Sequence, residues 1–133
     1  MDKTTREQLR TIDAEIWHRF LECLNNLGIQ RKETQSLLQI LTAVILCFDL
    51  NFVPNSFVKA GQTQDIWEPR NRPVVQKLAK LLETTESKFM ECFGVFATKI
   101  EAENRMLDLA RMLYKIAFEW LNERINEALA LHT

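Results

Sequence analysis

The stretch Met106-Leu107-Asp108-Leu109-Ala110-Arg111-Met112-Leu113-Tyr114-Lys115-Ile116-Ala117-Phe118-Glu119-Trp120-Leu121-Asn122 decides the fold. Wound at about 100° per residue, its apolar side chains fill a wide arc. Asp108, Arg111, Lys115, Glu119 and Asn122 line the remaining strip. That pattern predicts a helix packed on several sides and wetted along one edge, with Leu113 in the middle of its inner face. From Thr84 or Thr85 to about Leu131 there is no Pro, and Gly94 is the one weak point. One helix of about 45 residues and two helices broken near Gly94 both fit helix propensity.

Working towards the N-terminus, Pro73 suits the first position of a helix, where its missing N–H is an orphan anyway. Val74, Val75, Leu78, Leu81 and Leu82 give that helix one apolar face. Residues 62–72 have no helical period and read as an irregular loop, long for a small domain. Asn55 or Ser56 caps a short turn through Ala60 that Gly61 ends. A further helix is expected from Arg31–Thr34 to about Leu50, apolar nearly all round and hence buried on several sides. Its most apolar run, Leu37 to Phe48, covers about 18 Å of helix against a hydrocarbon core of ~30 Å, too short to span a membrane.

The first helix is expected over about residues 4–27. Thr4 with Glu7, or Thr5 with Gln8, fits a capping box. Leu9, Ile12, Ile16, Phe20, Cys23, Leu24 and Leu27 fall on one stripe, expected to face the core. Gly28 then supplies a left-handed residue, and Ile29 folds back on Leu24 to close a Schellman motif.

Composition agrees with a helical reading. The chain has 133 residues, 47% hydrophobic, with 3 Gly and 3 Pro, too few for a protein of many strands and turns. We therefore expect an all-α fold: a single helical domain, residues 1–133, as a bundle of four to five helices with a long C-terminal helix. Lys and Arg number 17 against 18 Asp and Glu, a net charge of -1, so no global basic field draws in nucleic acid or anionic lipid. No apolar leader follows Met1, which points to the cytoplasm. Cys23, Cys47 and Cys92 are widely spaced and lie among apolar helical neighbours, where reduced thiols pack as small hydrophobes.

Chemistry-bearing constellations are scarce. Glu15-Ile16-Trp17-His18 is a Glu-x-x-His, but a di-iron bundle needs two such motifs and the second histidine, His132, is penultimate. His18 projects opposite the apolar stripe, as a solvated surface residue does. Glycine-rich phosphate loops are absent, because Gly28, Gly61 and Gly94 stand alone. No catalytic residue, metal, cofactor or small-molecule substrate is indicated, so an enzyme is not expected. Lys59, Arg70, Arg72, Lys77 and Lys80, with Trp67 among them, form the one locally basic region and the candidate interaction surface. Asp65, Glu68, Glu83 and Glu86 dilute its field. Trp67 reads as a lid over the core or an anchor for a partner, and with Ile66 it favours the lid. The function expected is a non-catalytic accessory or adaptor role through protein–protein binding or self-association, with no membrane partner. The alternative is a small helical subunit of a nucleoprotein complex, touching a nucleic-acid backbone through residues 59–80.

Overall fold

The computed structural model describes residues 2–131, and the side chains of all of these but Phe57 and Lys59. His132 lies outside the described residues. The chain is mostly helical, with five helices and one small hairpin: α1 (Lys3–Asn26), α2 (Arg31–Cys47), β1 (Phe52–Lys59), β2 (Gln62–Pro69), α3 (Arg72–Leu81), α4 (Glu86–Phe93) and α5 (Lys99–Leu131). The all-helical expectation holds, and the long C-terminal segment is two helices, broken at Gly94 (φ 89).

The described residues fall into two compact units, 2–37 with 120–131, and 38–119. In the first, α1 closes as its sequence dictates. Gly28 sits at φ 84, its N–H donates to the Asn25 carbonyl, and the Ile29 N–H reaches back to Leu24 O at 3.0 Å. Leu24 and Ile29 are each 2% exposed, so the Schellman closure also seats the unit's apolar contact. The N-terminal cap differs from the expected capping box. Asp2 does the work, its Oδ1 accepting from the Thr5 N–H at 2.7 Å. An ionised carboxylate is the stronger acceptor and complements the helix dipole.

Arg124 of α5 ties this unit together. Its guanidinium grips Glu33 through Nε to Oε1 at 2.9 Å and Nη2 to Oε2 at 3.3 Å, and also reaches Gly28 O. Glu33 Oε2 in turn accepts the Gln30 N–H, closing the first turn of α2. The Arg124 hydrogen bond, then that from Gln30, holds the Glu33 carboxyl below its ordinary range.

The second unit carries the main core. Ala43, Cys47, Leu50, Phe52, Val75, Leu78, Phe89, Phe93, Ala102, Ala110 and Leu113 are buried together. Phe93 is its aromatic hub, stacked on Phe52 at 5.8 Å and Phe89 at 6.1 Å, with Phe96 edge-on at 6.0 Å. Helix α3 presents the expected face, with Val75 and Leu78 buried and Val74, Leu81 and Leu82 half-buried. Pro73 is its second residue rather than its first.

Two segments expected as a capped turn and a loop are strands. β1 and β2 pair antiparallel from Phe52↔Pro69 to Lys59↔Gln62. Ala60 (φ 53) and Gly61 (φ 77) make the two-residue turn, with the paired positive φ of type I′. Most of the hairpin is exposed. No buried face therefore imposes alternation on its sequence. The Asn71 side chain pins the stem instead of capping α3, accepting from Asn51 N–H at 2.9 Å and donating to Asp49 O.

The remaining corrections concern burial. Leu9, Ile12 and Ile16 are 42%, 50% and 60% exposed, so the upper part of the α1 stripe is not core. Helix α2 is not covered all round, since Ile45 and Phe48 are exposed, and it ends at Cys47. Within the wide arc of α5 only Ala110, Leu113 and Ala117 are buried, with Ala102 before the arc and Ala128 beyond it. Cys23 and Cys92 are exposed, and only Cys47 packs as a small hydrophobe.

Candidate interaction surfaces

The basic stretch lies on the hairpin and α3, all within the second unit. Trp67, on β2, is half-buried against the core, and its backbone exchanges two hydrogen bonds with Phe96, at 2.7 and 2.9 Å. That is the geometry of a lid. Arg70 pairs with Glu68 at 2.8 Å and Arg72 with Glu86 at 3.1 Å, so both arginines meet carboxylates from the same stretch. Lys77 and Lys80 are exposed on α3 and form no ion pair among the described residues. Lys59 ends β1, and its side chain is among those not described. The stretch thus offers two free ammonium groups and two arginines already engaged. Phosphate tracking needs a row of uncommitted cations, and this surface supplies a thin one.

The apolar surface is more extensive. On α1, Leu9, Ile12, Ile16 and Trp17 lie on adjoining columns of one helix face, and Trp17 contacts Phe20 with ring centroids 5.5 Å apart. Trp17 is 42% exposed and is not a core residue. Arg10 and Arg19 border this face, Asp13 and Arg6 lie within it between Leu9 and Trp17, and Glu7, Glu15 and Glu22 occupy the back with His18. His18 is exposed, as expected from its position.

In the middle of α5 four exposed apolar side chains form two pairs one turn apart, Met112 with Ile116 and Tyr114 with Phe118. They are the shoulders of the wide arc, one on each side of the buried Leu113–Ala117 stripe. Lys115 and Glu119 pair across the polar back at 3.9 Å. Phe118 is 59% exposed and Tyr114 56%, values that core aromatics do not have.

A groove of about 310 Å³ opens between α4 and α5 in the second unit. Leu82, Phe89, Phe93, Leu109 and Met112 give it an apolar wall, and Lys88, Cys92, Arg105 and Asp108 stand at its polar side. Arg105 bonds the last carbonyls of α4, Nη2 to Cys92 O at 3.0 Å and Nε to Phe93 O at 3.3 Å. The sequence reading missed this groove, because its walls come from two helices separated by the break at Gly94. Only the i, i+4 spacing of Lys88 and Cys92, which puts both on one face of α4, was there to find.

Among the described residues no cluster of His, Cys, Asp or Glu has the makings of a metal site, and no helix is long and apolar enough to cross a membrane.

No protein-family profile matches the chain. It is similar to chitin synthase 8 of Mycosarcoma maydis, 29% identical over 132 residues that span 90% of this chain and 6% of that protein.

Proposed function

We propose that this chain is a non-catalytic helical accessory module that acts by binding another protein, through the uncovered apolar faces of α1 and α5. One observation carries this reading: Leu9, Ile12, Ile16 and Trp17 stand exposed at helical spacing on a helix whose far face is charged. Contiguous apolar surface of that kind costs free energy in water and is the usual mark of a protein-binding face. The nucleoprotein alternative, through Lys59, Arg70, Arg72, Lys77 and Lys80, has less support, because Glu68 and Glu86 already neutralise two of its arginines.

Affinity capture from native lysate, with and without nuclease, tests the proposal when wild type is run beside Ile12→Glu/Ile16→Glu and Tyr114→Glu/Phe118→Glu. Nuclease-resistant protein partners that both face variants lose are expected. Partners that survive both variants but vanish on nuclease treatment would favour the nucleic-acid reading.

A further inference from the structure

The groove between α4 and α5 shares Met112 with the apolar face of α5, and the rest of its lining is not used by protein docking on α1 and α5. Its volume of about 310 Å³ lies at the lower end of small-molecule sites, which run roughly 300–1,000 Å³. Its wall is aliphatic and aromatic, from Leu82, Phe89, Leu109 and Met112. Its charges are unequal. Lys88 forms no ion pair among the described residues, and its ammonium is therefore uncommitted. Arg105 spends two of its five donors on the Cys92 and Phe93 carbonyls and keeps the rest. The one carboxylate on the lining, Asp108, lies 4.0 Å from Arg111 on its own helix. An apolar slot with surplus positive charge in its lining complements a molecule with an apolar body and an anionic head.

We propose that this groove binds a small anionic amphiphile, a carboxylate on an acyl chain, with the chain along Phe89, Leu109 and Met112 and the head at Lys88 and Arg105.

Cys92 lines the groove and is exposed, so its thiol reports occupancy. Cys23, on α1, is also exposed and serves as the internal control. Cys47 stays silent, since burial pushes its thiol up to about 11. The experiment is alkylation of the folded chain by N-ethylmaleimide, followed by peptide mass spectrometry. It is run with submicellar laurate or with dodecyltrimethylammonium at the same concentration. Laurate is expected to slow Cys92 by about tenfold at saturation and leave Cys23 unchanged, and the cationic amphiphile is expected to protect neither. Lys88→Glu, an exposed surface change, should raise the laurate concentration needed for half-protection by about tenfold, the worth of one charge-assisted hydrogen bond. Equal protection by both amphiphiles, protection of Cys23 as well as Cys92, no protection of Cys92, or protection indifferent to Lys88→Glu would each overturn the proposal.

Discussion

Glu83 and Gly28 occupy the same place in two helices, the residue after the C-cap, and both have positive φ, 55 and 84. In each case the next residue donates back to the helix, Thr84 N–H to Ala79 O at 2.8 Å and Ile29 N–H to Leu24 O at 3.0 Å. Glycine adopts this conformation freely, whereas a residue with a Cβ pays about 1 kcal/mol or more. The end of α1 was therefore legible in the sequence, and the end of α3 was not, because Glu83 carries no such signal. Ala60 in the hairpin turn hides its conformation in the same way, where Asn or Gly would have announced a type I′ turn. Glu83→Gly should stabilise the chain by about 0.5–1 kcal/mol, read as a higher urea midpoint with unchanged slope. A lower midpoint would mean that the Glu83 side chain contributes more than its backbone strain costs.

At the scale of elements, apolar periodicity placed the helical segments, with one or two helices left open after Thr84, but overstated what each buries. A stripe records which face is apolar, not whether anything covers it. Helix α1 shows the difference along its own length: Leu24 is 2% exposed, while Ile16, two turns earlier on the same stripe, is 60% exposed. Leu24→Ala should therefore cost ~2–5 kcal/mol of unfolding free energy. Ile12→Glu and Ile16→Glu should each cost under about 1 kcal/mol, since half or more of each side chain is already solvated and Glu favours helix at least as well as Ile. Urea unfolding of the three variants checks both values, and comparable losses would place the upper stripe in the core after all. The hairpin was illegible for the complementary reason. Its strands are mostly solvated, so nothing selected for alternation, and Pro54 is tolerated because a two-stranded sheet consists of edges alone. The α5 N-terminus, by contrast, was legible and went unread. Thr98 and Glu101 form a reciprocal capping box, each accepting from the other's N–H at 3.3 Å.

For the molecule as a whole, the charges of the candidate surface were all visible in the sequence, including the acids that offset them. Glu68 and Glu86, noted as dilution of a basic field, are the residues that pair with Arg70 and Arg72. What could not be read was the set of contacts between distant segments: the Arg124 grip on Glu33 across 91 residues, and the groove whose walls meet only when α4 and α5 pack. Those contacts separate the covered apolar surface from the uncovered, and the proposed protein-binding role rests on that division. Hydroxyl-radical footprinting of the free chain, read residue by residue across a range of protein concentrations, measures it directly. The expected result is oxidation of Ile16, Trp17, Tyr114 and Phe118 at a substantial fraction of their rates in the urea-unfolded chain, with Leu78 and Phe93 protected. Protection of the first four that grows with concentration would place a second copy on these faces. Protection of Ile16 and Phe118 as strong as that of Leu78 and Phe93 at every concentration would contradict the existence of an uncovered binding face.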